Sequence, residues 1–356
     1  MSNAAAARER APWAAVIGGM LCVFLLLPCW VLRAQVVSSF AIYDVPSSAR
    51  TAGLGVDFLA VADGSLDAAL DNPSLIREEL ASHYGFGYVG LFGEAGAGHA
   101  AYGFKAKGFG NFVAGMRFLS FGKFEGYDET GQPTHDFTAT DIMLSLGWGL
   151  QIDSTFSLGV TAKPVLSFYD AYFSLALGLD VAGSYASPSR RLVATVIGRN
   201  IGAQLARYDS ERERLPFHLD AGLSYKLAQA PFRFYLQAAD LQRWDLTYYD
   251  TLSPTSHYDP YTGETTRQSG AQRFADRIFR HLTAGVELAV ADRFFARVGY
   301  SYRQTREMAA ESRTVINFSG FSFGVGFKAR RFDLSYARNN YHLGQAPNYL
   351  SLNFHF

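Results

Sequence analysis

Cysteine is nearly absent: Cys22 and Cys29 are the only two, and both fall within the first 34 residues. The rest of the chain therefore carries no disulfide framework, no thiolate metal site and no cysteine nucleophile. A surplus of charge of either sign is lacking too, with 32 basic side chains against 32 acidic ones. Nucleic-acid binding calls for a basic patch or stripe, and this balance does not supply one. Long apolar runs are missing after residue 32, so no helical membrane span is expected there. What is plentiful is aromatic or small: 29 Phe, 20 Tyr and 34 Gly. Aromatic side chains on a chain without long helix-forming runs favour β-structure. A length of 356 residues suits two soluble domains or one large barrel.

The N-terminus reads separately. Arg8 and Arg10 precede an apolar stretch from Ala14 to Leu32, and the small residue Ala34 follows. A basic region, an apolar core and a small-residue site make a secretory signal peptide over residues 1–34, cleaved after Ala34. The competing reading is a membrane anchor, because the run is nearly long enough to span. Pro28 within the run and the closing "RAQ" favour cleavage, and Pro28 also disfavours acylation of Cys29.

Residues 35–81 are rich in Ala, Gly, Ser and Asp and show no strand periodicity. They read as a plug-like segment with short helical pieces, punctuated by the turn signals Asp63-Gly64 and Asn72-Pro73. Gly53, Gly55 and Gly64 do not form a phosphate loop, since neither the full glycine fingerprint nor a βαβ context is present.

From residue 82 onward the period becomes two. Tyr84, Phe86 and Tyr88 share a face, extended to Phe92. Ile142, Leu144, Leu146 and Trp148 share another, and Phe294, Ala296, Val298, Tyr300 and Tyr302 a third. The opposite faces hold Gly, Ser, Ala and scattered charges. A secreted sandwich would also alternate; the connections decide between the two. Short turns at 106–110, 153–154, 187–189, 228–231, 291–292 and 329–330 alternate with long loops at about 121–138, 201–216, 243–280 and 305–317. Only the link at Asp170 is short where a long one is due. That asymmetry predicts an all-β transmembrane barrel of about 14 antiparallel strands over residues 82–356. In lipid every backbone polar group must pair internally, so the sheet has to close. Aromatics near strand ends, including Trp148 and Tyr225, would form the interfacial girdles.

The chain ends "NYLSLNFHF", alternating to its last residue. This reads as the closing strand, with Leu352, Phe354 and Phe356 forming a C-terminal barrel-assembly signal.

Several blocks resemble a known family. "SSARTAGLG" with "DNPSLI", "FGKFEGYDETG", "RNIGAQL", "LPFHLDAGLSYKL", "RHLTAGVEL" and "GFSFGVGFKARRFDLSYAR" are similar, in order, to the PorV/PorQ family of FadL-like barrels of the type IX secretion system, and more so to its PorQ branch. The resemblance implies a FadL-like fourteen-stranded barrel with its N-terminal segment in or under the lumen. It implies no enzymatic activity, no cofactor and a location in the outer membrane. Its partners would be outer-membrane lipid and the cargo-attachment proteins: PorZ directly, and PorU and PorV through that complex. A FadL-like transporter of apolar solutes is the alternative.

Candidate sites follow. Asp220, Lys226, Glu287, Arg297, Arg303 and Lys328 fall on polar faces and are expected to face the lumen, as an ion-pair network bracing the plug rather than a ligand path. Asn72 and Pro73 shape the plug turn. Trp244, Tyr248, Tyr249, Tyr258, Tyr261 and Arg267 mark the longest loop as a candidate partner-binding surface, because Trp, Tyr and Arg are enriched at interfaces. Trp244, Tyr248 and Tyr249 also suit a girdle. His135 with Asp136, His257 with Asp259, and His281 are the candidates for an enzyme, and none shows a nucleophile at a recognisable spacing.

Overall fold

A computed structural model describes residues 40–209, 212–247, 257–258, 265–266, 270–308, 318–340 and 346–356. The expected signal peptide lies outside them. The wall is formed by β1 (His83–Gly90), β2 (Gly96–Ala106), β3 (Gly110–Phe124), β4 (Phe137–Gln151), β5 (Phe156–Tyr169), β6 (Tyr172–Ala186), β7 (Leu192–Ala206), β8 (His218–Lys226) and β9 (Phe232–Ala238). A two-stranded pair, β10 (His257–Tyr258) and β11 (Thr265–Thr266), stands apart from it. The wall resumes with β12 (Leu282–Val290), β13 (Phe294–Ser301), β14 (Phe321–Lys328), β15 (Phe332–Asn339) and β16 (Asn348–His355).

Fourteen antiparallel strands close into a barrel, each pairing with its sequence neighbour in the wall. Closure comes from β1 and β16, in register from His83 opposite His355 to Gly90 opposite Asn348. The terminal alternation is thus a wall strand. Leu350 points outward, and Ser351 and Asn353 are buried inside. Phe356 is 79% exposed at the rim. A polar tag appended after Phe356 is expected to lower the yield of heat-modifiable, folded barrel several-fold on a semi-native gel; an unchanged yield would remove the assembly-signal reading.

Several strands run longer than the period-two signal suggests. β4 has 15 residues, or about 50 Å of extended chain. A tilted crossing of the apolar band uses only about ten residues. Beyond the band the side chains turn polar while the ladder continues, so the loops expected at 121–138 and 201–216 shrink to 125–136 and 207–217. β3 bulges between Ser120 and Lys123, with Gly122 at φ 89°. Two assignments need correction: Phe92 lies past the end of β1, and Tyr302 and Arg303 belong to a helix rather than to β13. The short link at Asp170 is a tight turn, with Asp170 itself at φ 54°.

Aromatics gather at both rims as paired rings. Phe104 and Phe112 stack at 5.5 Å on the short-turn side, and Tyr300 and Phe321 meet at 4.9 Å on the long-loop side. Short turns mark the periplasmic side and long loops the exterior.

The lumen is filled by residues 40–81. Helix α1 (Ala49–Leu54) starts where the Ser48 hydroxyl accepts from the Thr51 amide and ends at Gly55, which turns left-handed at φ 67°. It lies against β12–β16. Helix α2 (Leu66–Asp71), capped by Ser65 and ended by Asn72, lies against β1–β3. The turn Pro73–Leu75 then packs on β4–β6.

The wall admits this segment through its glycines. A Cβ on Gly299 would overlap the Leu54 carbonyl, and one on Gly159 would overlap Pro73. At Gly103, Gly149, Gly159 and Gly299 the inner face is small because plug backbone lies on it.

Candidate functional site

The plug is acidic. Residues 40–81 hold Asp44, Asp57, Asp63, Asp67, Asp71, Glu78 and Glu79 against Arg50 and Arg77. The inner wall answers with bases, and the two surfaces meet in three clusters.

The first centres on Glu287 of β12. Its side chain is 3% exposed; Arg50 of α1 donates to it at 2.9 and 3.1 Å, and Arg297 of β13 at 2.8 Å. The Tyr235 hydroxyl donates to the same carboxylate at 3.1 Å. Asp63 then bridges Arg50 at 2.8 Å and Arg233 of β9 at 2.7 Å. Burial alone would raise the Asp63 carboxyl, but Arg50 and Arg233 hold it far below the usual carboxylate range.

The second cluster crosses the lumen. Arg117 of β3 meets Asp71 at 3.2 Å, Lys163 of β5 meets Asp180 of β6 at 2.7 Å, and Arg199 of β7 meets Asp220 of β8 at 2.5 Å and Asp57 of the plug at 3.6 Å. Here β5 carries Pro164, and the β4–β5 ladder is interrupted between Met143 opposite Val165 and Leu146 opposite Ala162. The Tyr43 hydroxyl of the plug donates to the neighbouring Lys163 carbonyl at 2.9 Å, so the plug supplies a bond where the wall skips one.

The third cluster lies at the outer rim. The two ring nitrogens of His218 sit 2.7 Å from Asp240 and 3.1 Å from Asp44, and Arg303 also reaches Asp240 at 2.6 Å.

Two cavities border this belt. One of about 30 Å³ lies between plug and wall, lined by Asp57, Asp71, His99, Arg117, Lys163 and Arg199. It is polar and has room for a water or two. The other, about 210 Å³, opens at the short-turn end beside Asp63, Arg233, Glu287, Phe295 and Arg297.

Of the expected lumen charges, Asp220, Glu287 and Arg297 are buried inside. Lys226 and Lys328 sit at strand ends, with side chains 42% and 47% exposed and their acids 3.8 Å away. Arg303 acts from a rim helix, because the strand pattern stops one residue before Tyr302. Asn72 is fully buried and donates to the Leu59 carbonyl at 3.0 Å and to Thr195 at 3.3 Å, while Pro73 opens the following turn. Trp244 is exposed, 5.8 Å from the ring of Phe274. Tyr248, Tyr249, Tyr261 and Arg267, and the side chain of Tyr258, lie outside the described residues.

The histidines build no catalytic group among the described residues. His135 lies 3.2 Å from Asp170 in an exposed loop, Asp136 is taken by Lys123, and His281 sits 2.7 Å from the Ala239 carbonyl. His218 builds no triad either: a triad needs one ring nitrogen free for the nucleophile, and both of its nitrogens face carboxylates. His257 and Asp259 fall among residues whose side chains are not described.

One plug carboxyl titrates in a useful range. Burial pushes Asp67, which is 4% exposed, up to about 6, and Asp71 adds to the rise. A carboxyl raised on folding binds its proton more tightly in the folded state, so stability grows as pH falls from 7 toward 4. Thermal melts should show a gain between pH 7.5 and 5.5 that shrinks in Asp67→Asn. An undiminished gain would assign the dependence to other groups.

No family model matches the chain, and no curated protein matches it. Solved structures do. A deletion mutant of the monoaromatic hydrocarbon channel TodX superposes with a TM-score of 0.51 at 11% identity, covering 88% of this chain and 98% of that one. The toluene transporter TodX of Pseudomonas putida gives 0.47 at 13% identity, covering 88% and 98%. A FadL homologue of Pseudomonas aeruginosa gives 0.46 at 11% identity, covering 88% and 99%. At these identities the likeness concerns architecture, and only the first score is above one half. The chain has the FadL-like fold of outer-membrane channels: a closed fourteen-stranded barrel with its N-terminal segment inside.

Proposed function

We propose that the chain is a non-enzymatic outer-membrane component of the type IX secretion system, PorQ-like, which anchors a surface partner such as PorZ in the cargo-attachment complex. The observation that carries this reading is the charged belt between plug and wall. An apolar solute passing between plug and wall would have to part Arg117 from Asp71 and Arg199 from Asp57, beside the wall pairs Lys163–Asp180 and Arg199–Asp220. Stripping a buried charge of its partner costs several kcal/mol, roughly 3–5. A barrel braced in this way suits a holder of partners better than an axial conduit. The ordered sequence blocks shared with the PorV/PorQ family supply the system and the partner class.

A second reading, passage of an apolar solute, has its own support. The superposable fold belongs to a hydrocarbon channel. The lumen also holds an apolar cluster that includes Phe40, Ile42, Tyr43, Leu119, Met143 and Val165.

Deletion of residues 251–275, in the longest connection, separates the readings. The anchor reading expects loss of PorZ from pull-downs of folded barrel from outer membranes. Undiminished recovery of PorZ, together with saturable uptake of toluene by proteoliposomes of the intact chain, would favour the transporter.

A further inference from the structure

The 12-residue helix α3 (Gly270–His281) runs directly into β12 at the outer rim. At 100° per residue, Ala271, Phe274, Ala275, Ile278 and Phe279 fall within one arc of about 140°. Every other side chain of the helix is polar or absent. Among the described residues the apolar arc meets the rings of Trp244 and Tyr302 and stays half open: Phe274 is 55% exposed and Phe279 is 51% exposed. Trp244, its ring 5.8 Å from that of Phe274, extends the same surface and is itself exposed. Below it on the wall stand the outward-facing Leu236 and Val298, so the patch continues the lipid-facing band upward past the rim.

The opposite face is basic. Arg273, Arg277 and Arg280 line it, with Arg243 and Arg306 beside them, against Asp245 and Asp276. Asp245 takes Arg277 at 2.8 Å; Asp276 takes Arg280 at 2.7 Å and Arg306 at 3.2 Å. Among the described residues, the side chains of Arg243 and Arg273 meet no acid.

We propose that α3 lies in the outer leaflet, its apolar arc among acyl chains and its arginines on the phosphate groups of an anionic lipid. A helix with one apolar face and a basic polar face partitions into an interface in this way. Continuity with the lipid-facing wall selects membrane lipid over a protein as the occupant. The proposal is independent of whether the barrel anchors or transports.

The test uses single cysteines for nitroxide labels, with Cys22 and Cys29 replaced by serine: Ala275→Cys on the apolar arc and Gln272→Cys on the polar face. The labelled barrels go into nanodiscs of phosphatidylcholine, with and without phosphatidylglycerol. The label at 275 should collide with oxygen rather than with an aqueous nickel chelate, and the label at 272 the reverse. In the same folded barrel, Arg243→Gln and Arg273→Gln should each reduce retention of phosphatidylglycerol over phosphatidylcholine about fivefold. Nickel-accessible labels at both positions in both lipids would overturn the proposal. So would protection of position 275 that arises only after outer-membrane protein is added, which would assign the surface to a protein partner.

Discussion

Replacing Glu287 with alanine is expected to free the plug from its seat. Glu287 is buried at 3% side-chain exposure and accepts from Arg50 and Arg297 at 2.8–3.1 Å, with Arg233 at 3.7 Å. Its loss leaves three guanidinium groups with Asp63 as the one acid bridging two of them. Removing one partner from a buried pair costs about 3–5 kcal/mol, because the surviving charges stay desolvated. The wall itself is held by its ladders, so the loss should fall on plug docking. Limited proteolysis should cut residues 40–71 at least tenfold faster, while the barrel still shows heat-modifiable mobility. Combining Glu287→Ala with Arg297→Met should recover part of the protection, since that removes one of the stranded charges. Unchanged proteolysis in the single variant would mean that the belt does not hold the plug.

Gly299→Val is the second large effect. The inner face of β13 at Gly299 lies against the backbone of Leu54 and Gly55, and a Cβ there would overlap the Leu54 carbonyl. Backbone cannot swing aside as the end of a long side chain can. The plug must lift from β13, losing the burial of Leu54, which is 0% exposed. A cost above about 4 kcal/mol is expected, in the exceptional range for a single substitution. Gly159→Val should act alike through Pro73, on the opposite wall. Gly90→Ala is the control: nothing lies within 4 Å of a Cβ there, and its backbone is not left-handed. Thermal unfolding read on plug and wall separately checks all three. Equal midpoints for Gly299→Val and Gly90→Ala would refute close plug–wall contact.

Much of the wall was legible because outward positions repeat every second residue in Leu144–Leu146, Val298–Tyr300 and Leu350–Phe354, and lipid leaves such positions few alternatives. The inner face was harder to interpret. Its glycines at 159 and 299 read as merely small, because their partners, Pro73 and Leu54, stand far away in the chain. The same distance hid the belt. The acidity of residues 40–81 was visible, but that Asp57 faces Arg199, or that Asp71 faces Arg117, follows only from the path of the plug. Arg303 was misplaced because Tyr302 continues the apolar alternation of β13 by chance while its backbone has already turned helical. The amphipathic arc of α3 was open to a period-3.6 reading, but it sits in a loop valued for its Trp, Tyr and Arg content.

If the plug seals the lumen through its charges, the intact chain should pass no current in planar lipid bilayers. The barrel should be silent at neutral pH, and Glu287→Ala should show stepwise conductance. Steady open-pore conductance from the unaltered chain would contradict the seal.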